Sequence, residues 1–200
     1  MPKVESVDDA NPDWRLERVT FSAAYGQERV TVYLYLPKKG QPPYQTVLFM
    51  PGSPAWDTHT PFAQVNPPFS FLVRSGRAVA FPIYKGSYER SNDEYNGGDK
   101  LKSTSLWRDY VIYFSKDLRR TVDYLATRTD IEPGKIGFFG HSRYDYNFPD
   151  ESSSLPFFNA LGTPADQRRR VVYDTGHNLP PNESFRETLD WFDRYLGPPR

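Results

Sequence analysis

Three polar residues in the second half of the chain have the types and the order of a catalytic triad. Ser142 follows Gly140 and His141, Asp145 comes three positions later, and His177 lies near the C-terminus. A serine hydroxyl becomes a useful nucleophile when a histidine removes its proton and a carboxylate orients that histidine. The pattern therefore predicts a Ser142–His177–Asp145 triad that attacks an ester or amide carbonyl.

The turn around Ser142 has the position of a nucleophile elbow. The apolar run at 136–139 is typical of a buried strand, and Gly140 follows it directly. In an elbow of the form Gly-x-Ser-x-Gly, the glycines allow a tight turn that holds the serine hydroxyl above the sheet. Here Tyr144 stands where the second glycine is expected. A Gly-His-Ser turn alone is also compatible with an ordinary loop, so the hypothesis depends on the acid and the histidine that follow it in hydrolase order.

An earlier segment could stabilise the oxyanion that forms during such an attack. The apolar run at 46–50 predicts another buried strand, and a Pro-Gly-Ser turn follows it. Backbone N–H groups at such a strand end can donate to a developing negative charge. Pro54 has no N–H, so the donor is expected to be Ser53 or Ala55, together with the amide of Arg143.

Other residues of reactive types receive structural interpretations. His141 is expected to line the pocket wall rather than act as a base, and His59 is expected to be a loop residue. Asp150 and Glu151 suit the first turn of a following helix, where negative charge complements the helix dipole. The three arginines at 168–170 are interpreted as a solvated approach to a strand.

The composition excludes several classes of partner and cofactor. The chain has 25 Lys plus Arg against 25 Asp plus Glu and no cysteine. There is thus no net charge to attract nucleic acid or an anionic membrane, and there are no thiolate metal ligands or disulfides. No metal-ligand spacing occurs, and the glycines at 97–98 lack the lysine of a phosphate loop. We expect no cofactor, no metal, no nucleic-acid partner and no membrane association.

The chain length indicates the number of domains, and the N-terminal residues indicate the cellular location of the protein. A chain of 200 residues suits one domain spanning 1–200, with residues 1–13 as a polar N-terminal segment. The first residues are polar and acidic, unlike the basic and then apolar start of a signal peptide. The longest apolar runs are far shorter than the roughly 20 residues that span a bilayer. A cytoplasmic location is therefore predicted.

Strand and helix patterns alternate along the chain. Runs at 18–25 and 29–36 are rich in β-branched and aromatic residues and are separated by a short turn with glycine, which predicts an antiparallel hairpin. Buried strands are predicted at 46–50, 78–83, 136–139 and 171–173. Helices are predicted at 69–73, at 105–128 and around the stripe formed by Phe185, Leu189, Phe192 and Leu196. The pattern favours an α/β fold with helices on both faces of the sheet.

Several stretches together resemble the α/β-hydrolase superfamily, in particular the dienelactone-hydrolase-like and acetyl-xylan-esterase-like domains found after some bacterial serine/threonine kinase domains. The stretches are residues 84–90, 116–130, 140–142, 143–149 and 171–180. The resemblance covers nearly the whole chain. It implies a triad of Ser142, Asp145 and His177.

The chain departs from that superfamily after the elbow. Relatives place several tens of residues between the serine and the acid, whereas Asp145 follows Ser142 by three positions. An internal deletion would explain this difference. We expect the strand at 171–173 to lie parallel to the strand at 136–139 and beside it, with residues 151–162 as the crossover helix.

The sequence thus predicts a three-layer α/β-hydrolase-like sandwich. Its sheet is expected to be mostly parallel, with an antiparallel N-terminal hairpin, and to lack the strands that normally separate nucleophile and acid. The predicted function is hydrolysis of a small-molecule ester or a peptide by a serine triad. Two alternatives remain open: a catalytically silent hydrolase-like domain that binds or senses a ligand, and a truncated gene product.

Overall fold

The computed structural model describes residues 1–51, 55, 58–62, 67–92, 105–139 and 180–199. The described strands are β1 (Lys3–Asp8), β2 (Trp14–Ser22), β3 (Arg29–Pro37), β4 (Tyr44–Phe49), β5 (Ala78–Ile83) and β6 (Ile131–Phe139). The described helices are α1 (Ser70–Arg74), α2 (Ser105–Leu125) and α3 (Pro181–Leu196), and a 3-10 turn spans Tyr88–Arg90. The strands form one mixed sheet in the order β1-β2-β3-β5-β4-β6.

The N-terminal half of the sheet is antiparallel. β2 and β3 form the predicted hairpin, in which Trp14 pairs with Pro37 and Ser22 with Arg29. Gly26 and Gln27 both have positive φ in the connecting turn, a conformation that glycine adopts at little cost. The hairpin is confirmed, although β2 begins four residues earlier than predicted.

Residues 1–13, expected as a polar N-terminal segment, include the strand β1, which the sequence patterns did not predict. This strand pairs antiparallel with β2, and Glu5 accepts a hydrogen bond of 2.8 Å from the Thr20 hydroxyl. Its side chains are almost all exposed. An edge strand with solvent on both faces needs no apolar alternation, so hydrophobic periodicity could not reveal it.

The C-terminal half of the described sheet is parallel. β4 pairs in parallel with β5 on one side and with β6 on the other, while β5 is antiparallel to β3. Every residue of β5 is buried, as its continuous apolar run predicts. The predicted strand at 171–173, and hence its pairing with β6, lies outside the described residues.

β6 starts earlier than its apolar run indicates. Tyr44 pairs with Ile131, but Thr46 pairs with Ile136, so residues 132–135 form an irregularity in the ladder. Pro133 and Gly134 lie within it. Residues 131–135, which precede the predicted strand at 136–139, are therefore part of β6, because a bulge accommodates residue types that normally end a strand.

Helices cover both faces of the sheet, which confirms the three-layer α/β architecture. Alternate residues of β3 belong to different cores: Tyr35 packs with residues of α1 and α3, whereas Leu34 packs with residues of α2. Within the described residues, no helix is both long enough and apolar enough to cross a membrane.

The buried face of α2 differs in part from its apolar stripe. Tyr110, Phe114 and Leu125, which recur at helical spacing, are buried, but Val111 is 43% exposed. Asp117 and Thr121 are fully buried instead. The Thr121 hydroxyl donates to the Asp117 backbone carbonyl at 2.8 Å.

Gly137 marks a close approach between β6 and α3. A Cβ at this position would lie 3.1 Å from Phe192 Cδ1 and closer still to Cε1, and Phe192 is only 5% exposed. The buried ring has little room to retreat.

We expect Gly137→Ala to lower the free energy of unfolding by about 1–3 kcal/mol, the usual cost of overpacking a core. Gly134→Ala in the same strand is the matched control, since no atom lies within 4 Å of the added Cβ. Chemical denaturation of both variants checks the prediction. An equal effect of the two substitutions would contradict the packing argument.

Candidate functional site

The candidate site lies at the carboxyl edge of the parallel strands. Phe49 of β4 is level with Phe139 of β6, and the Met50 amide donates to the Phe139 carbonyl at 3.0 Å. Ser142 follows Phe139 by three positions, and Ala55 follows Phe49 by six. The segments that carry the proposed nucleophile and the proposed oxyanion donors therefore leave adjacent strands at one edge.

Most residues of the predicted site lie outside the described part of the chain. This applies to the triad residues Ser142, Asp145 and His177 and to the oxyanion candidates Ser53 and Arg143. Their roles stay predictions. Ala55 is described and is 1% exposed, and His59 is an exposed loop residue as predicted.

Ala55 packs under the carboxyl edge against two other elements. It shares a buried cluster with Tyr84, which directly follows β5, and with Tyr110 and Phe114 of α2. The Tyr84 and Phe114 rings meet edge to face at 5.7 Å. The oxyanion candidate thus rests on residues 84–90, which we name the β5 loop, and on α2.

A buried ionic cluster joins the β5 loop to α2 and to the β2–β3 turn. We name it the Asp117 network; it consists of Asp117, Arg90, Tyr25, Lys85 and Glu28. Asp117 is fully buried and accepts from Arg90 Nη1 at 2.7 Å, from the Tyr25 hydroxyl at 2.8 Å and from the Lys85 amide at 3.2 Å. Arg90 Nη2 also donates to the Tyr25 hydroxyl at 2.7 Å.

The outer part of the Asp117 network is made by Lys85. Its ammonium pairs with Glu28 and lies 5.4 Å from the centre of the Tyr25 ring and 5.1 Å from that of Tyr113. Burial raises the pKa of the Asp117 carboxyl, and the Arg90 guanidinium opposes that shift. The ion pair with Arg90 and the hydrogen bonds to Asp117 therefore offset the desolvation cost of burying this carboxylate.

A second hydrogen bond ties the β5 loop to the sheet. The Tyr33 hydroxyl of β3 donates to Glu89 Oε1 at 2.8 Å. Burial, followed by this bond, raises the pKa of Tyr33 to about 12. Burial also raises the pKa values of Tyr25, Tyr35 and Tyr84.

These shifts predict alkaline destabilisation. A tyrosine in the unfolded chain ionises near pH 10, so the native state binds more protons above that value. The stability contributed by neutral Tyr33 is complete below about pH 10 and is lost as pH rises through about 12. We expect the free energy of unfolding to fall over this window, and to fall less steeply in Tyr33→Phe. Denaturation curves across the window check this; equal slopes for the two proteins would contradict it.

A polar cavity of about 480 Å³ lies away from the candidate site. It opens near the amino ends of β4 and β6, and its lining includes Arg15, Glu17, Lys38, Arg128 and Asp130. These charges neutralise one another, for Arg128 donates to Glu17 at 2.7 Å and to Asp130 at 2.6 Å. The described residues contain no group of three side chains suited to a metal ion.

The Asp117 network was missed by sequence reasoning. Apolar periodicity selects Phe114 and Leu118 and passes over Asp117 between them, although a carboxylate at a buried helical position is itself a signal of a buried partner. Arg90 lies in the stretch 84–90 and Asp117 in the stretch 116–130, both of which contribute to the resemblance to the α/β-hydrolase superfamily. Only the tertiary structure shows that the two stretches are in contact.

The chain is similar to known proteins in structure and not in sequence. No family model and no curated protein matches the sequence. A cold-adapted esterase from an Arctic intertidal metagenomic library superposes with a TM-score of 0.67 at 15% identity, over 96% of this chain and 99% of that one.

Two acetyl xylan esterase structures are similar over part of their length. A Bacteroides fragilis protein assigned to that activity gives a TM-score of 0.53 at 17% identity over 69% of this chain. Acetyl xylan esterase 1 from Thermoanaerobacterium gives 0.50 at 10% identity over 71%. The chain spans 40% and 45% of the length of these two proteins.

Identities this low establish a shared fold and leave the activity open. The mixed sheet, the helices on both of its faces and these structural likenesses agree with one another. The chain has the fold of the α/β-hydrolase esterases.

Proposed function

We propose that the protein is a serine hydrolase that acts on an ester or amide carbonyl. The observation that carries the proposal is the parallel pairing of β4 with β6 in register at Phe49 and Phe139. This pairing supports the proposal, because the proposed nucleophile turn and the proposed oxyanion segment then follow adjacent strands. The fold shared with esterases supports the same reaction class by analogy.

The proposed mechanism follows from the residue types. Ser142 attacks the carbonyl carbon while His177 takes its proton, and Asp145 orients the imidazole. The amides of Arg143 and of Ser53 or Ala55 stabilise the oxyanion. His177 then donates the proton to the leaving group, and water releases the acyl group from Ser142 by the reverse sequence.

The short spacing between Ser142 and Asp145 limits how this triad can be built. Three residues span at most about 10 Å, which equals roughly two strand spacings. So short a connection leaves little room for further strands between nucleophile and acid. We therefore propose that residues 171–173 pair beside β6, which would put His177 one strand away from Ser142.

A fluorophosphonate probe tests the proposal, because it reacts rapidly only with an activated serine. We expect one covalent adduct per chain, which peptide mass spectrometry places on Ser142. Heat-denatured protein is the control and should not react. An adduct on another serine, or no adduct on folded protein, would contradict the proposal.

A catalytically silent hydrolase-like domain is the second candidate. The observation that favours it is Tyr144, which stands in the place of the second elbow glycine. A protein that unfolds cooperatively on heating but does not react with the probe would support this candidate instead of the enzyme.

Tyr144 also leads to a prediction about the enzyme. The residue two positions after an elbow serine is normally glycine, because the turn packs tightly and its backbone is strained. Tyr144→Gly should therefore raise the rate of Ser142 labelling about tenfold, at a small cost in stability from the entropy of the unfolded chain.

Insertion of residues between Ser142 and Arg143, with Tyr144 kept, tests the competing cause. If insertion restores fast labelling and Tyr144→Gly does not, the missing scaffold limits the site and the steric explanation is wrong.

A further inference from the structure

The Asp117 network holds the β5 loop at several backbone points. Asp117 accepts from the Lys85 amide, and Arg90 Nη1 donates to the Ile83 carbonyl at 2.7 Å. Within the loop, the Gly86 amide donates to the Arg90 carbonyl at 2.9 Å. The buried Asp117 carboxylate therefore joins the β5 loop to α2.

The first residue of the β5 loop, Tyr84, contacts the oxyanion candidate Ala55. Tyr84 is 1% exposed and packs with Ala55, and the Ser87 hydroxyl donates to the Tyr84 carbonyl at 2.8 Å. A chain of contacts therefore runs from the buried carboxylate, through the loop, to the segment after β4.

We infer that Asp117, Arg90 and Tyr25 are positioning residues for the oxyanion side of the active site. They hold the β5 loop so that Tyr84 supports the backbone at Ala55. The inference rests on the proposed function and adds to it the residues that place one of its hydrogen-bond donors. Oxyanion donors act only when they point at the position that the charged oxygen will occupy, so small displacements of their support are costly.

The expected kinetic signature is a fall in kcat with little change in KM. The oxyanion exists in the transition state and not in the bound substrate, so a misplaced donor weakens only transition-state binding. We expect Tyr25→Phe to lower kcat about tenfold, because it removes one of the bonds to Asp117. Asp117→Asn should lower kcat about 100-fold.

The amino edge of the sheet supplies matched controls. There Arg128 donates to the 4%-exposed Glu17 at 2.7 Å and to the Tyr124 hydroxyl at 2.8 Å. This cluster likewise joins an arginine to a carboxylate and a tyrosine, but it lies at the edge of the sheet opposite Ala55. Tyr124→Phe and Glu17→Gln should therefore leave kcat unchanged when each variant is assayed at the same interval below its melting temperature.

Hydrogen exchange gives a readout that does not depend on activity. Tyr25→Phe and Asp117→Asn should accelerate exchange in the β5 loop, above all at the Lys85 amide, and in the peptide containing Ala55. Tyr124→Phe should not do so. If Asp117→Asn does not fold, Tyr25→Phe decides the result by itself.

The outcomes separate the inference from the proposed function. Equal kcat and equal exchange in Tyr25→Phe and Tyr124→Phe, in a protein whose Ser142 reacts with the probe, would overturn the positioning role alone. A wild-type protein without Ser142-dependent hydrolysis would overturn the proposed function and the positioning role together. A lowered kcat with unchanged KM in Tyr25→Phe, and not in Tyr124→Phe, supports the positioning role.

Discussion

Ser142→Ala should reduce hydrolysis of small activated esters to the background rate. Loss of a triad nucleophile typically costs on the order of 10⁴-fold or more in kcat, because no other group can form the acyl intermediate. His177→Ala should cost a similar factor, since the hydroxyl then has no base. Initial rates with a chromogenic ester, compared with the uncatalysed reaction, give the measurement.

An exposed serine serves as the control for this substitution. Ser6 lies on the edge strand β1 and is solvent-exposed, so Ser6→Ala should keep full activity. Activity that survives Ser142→Ala would identify another nucleophile or nonspecific hydrolysis by surface groups.

Asp117→Leu should strongly lower the free energy of unfolding. It leaves the Arg90 guanidinium, whose side chain is 9% exposed, without its main counter-ion. Breaking a buried pair in this way typically costs about 3–5 kcal/mol. That is a large part of the 5–15 kcal/mol by which a domain of ordinary stability is folded.

A double variant separates charge from shape. In Asp117→Leu/Arg90→Met both charges are replaced by apolar side chains, and such replacements are often nearly neutral for stability. We therefore expect the double variant to recover most of the loss measured for Asp117→Leu in denaturant titrations. If the double variant is as unstable as the single one, the hydrogen bonds to Tyr25 and Lys85 matter more than the unpaired charge.

The elements with strong local patterns were predictable. The sequence predicts β5 at its observed bounds, because a continuous apolar run is typical of a strand buried on both faces. The β2–β3 hairpin followed from two β-branched runs around a glycine turn, and α3 followed from an apolar stripe that ends at Gly197. In each case neighbouring residues in sequence carry the whole signal.

Elements that depend on distant partners were not predictable. β1 is polar and exists through its ladder with β2, and the first part of β6 tolerates Pro133 and Gly134 because β4 pairs on either side of them. The extent of one domain over 1–200 and the strand at 171–173 stay predictions, since residues 140–179 lie outside the described part of the chain.

In the candidate site, too, local features were predictable from the sequence and contacts between distant residues were not. The order Ser142, Asp145, His177 and the glycine turn after an apolar run are local or linear features, so the sequence determined the reaction class that we propose. Tertiary structure alone decided that β6 pairs with β4, so that the proposed nucleophile turn and the proposed oxyanion segment follow adjacent strands. It likewise decided that Asp117 meets Arg90, because a buried charge reveals its partner only when the chain has folded around both.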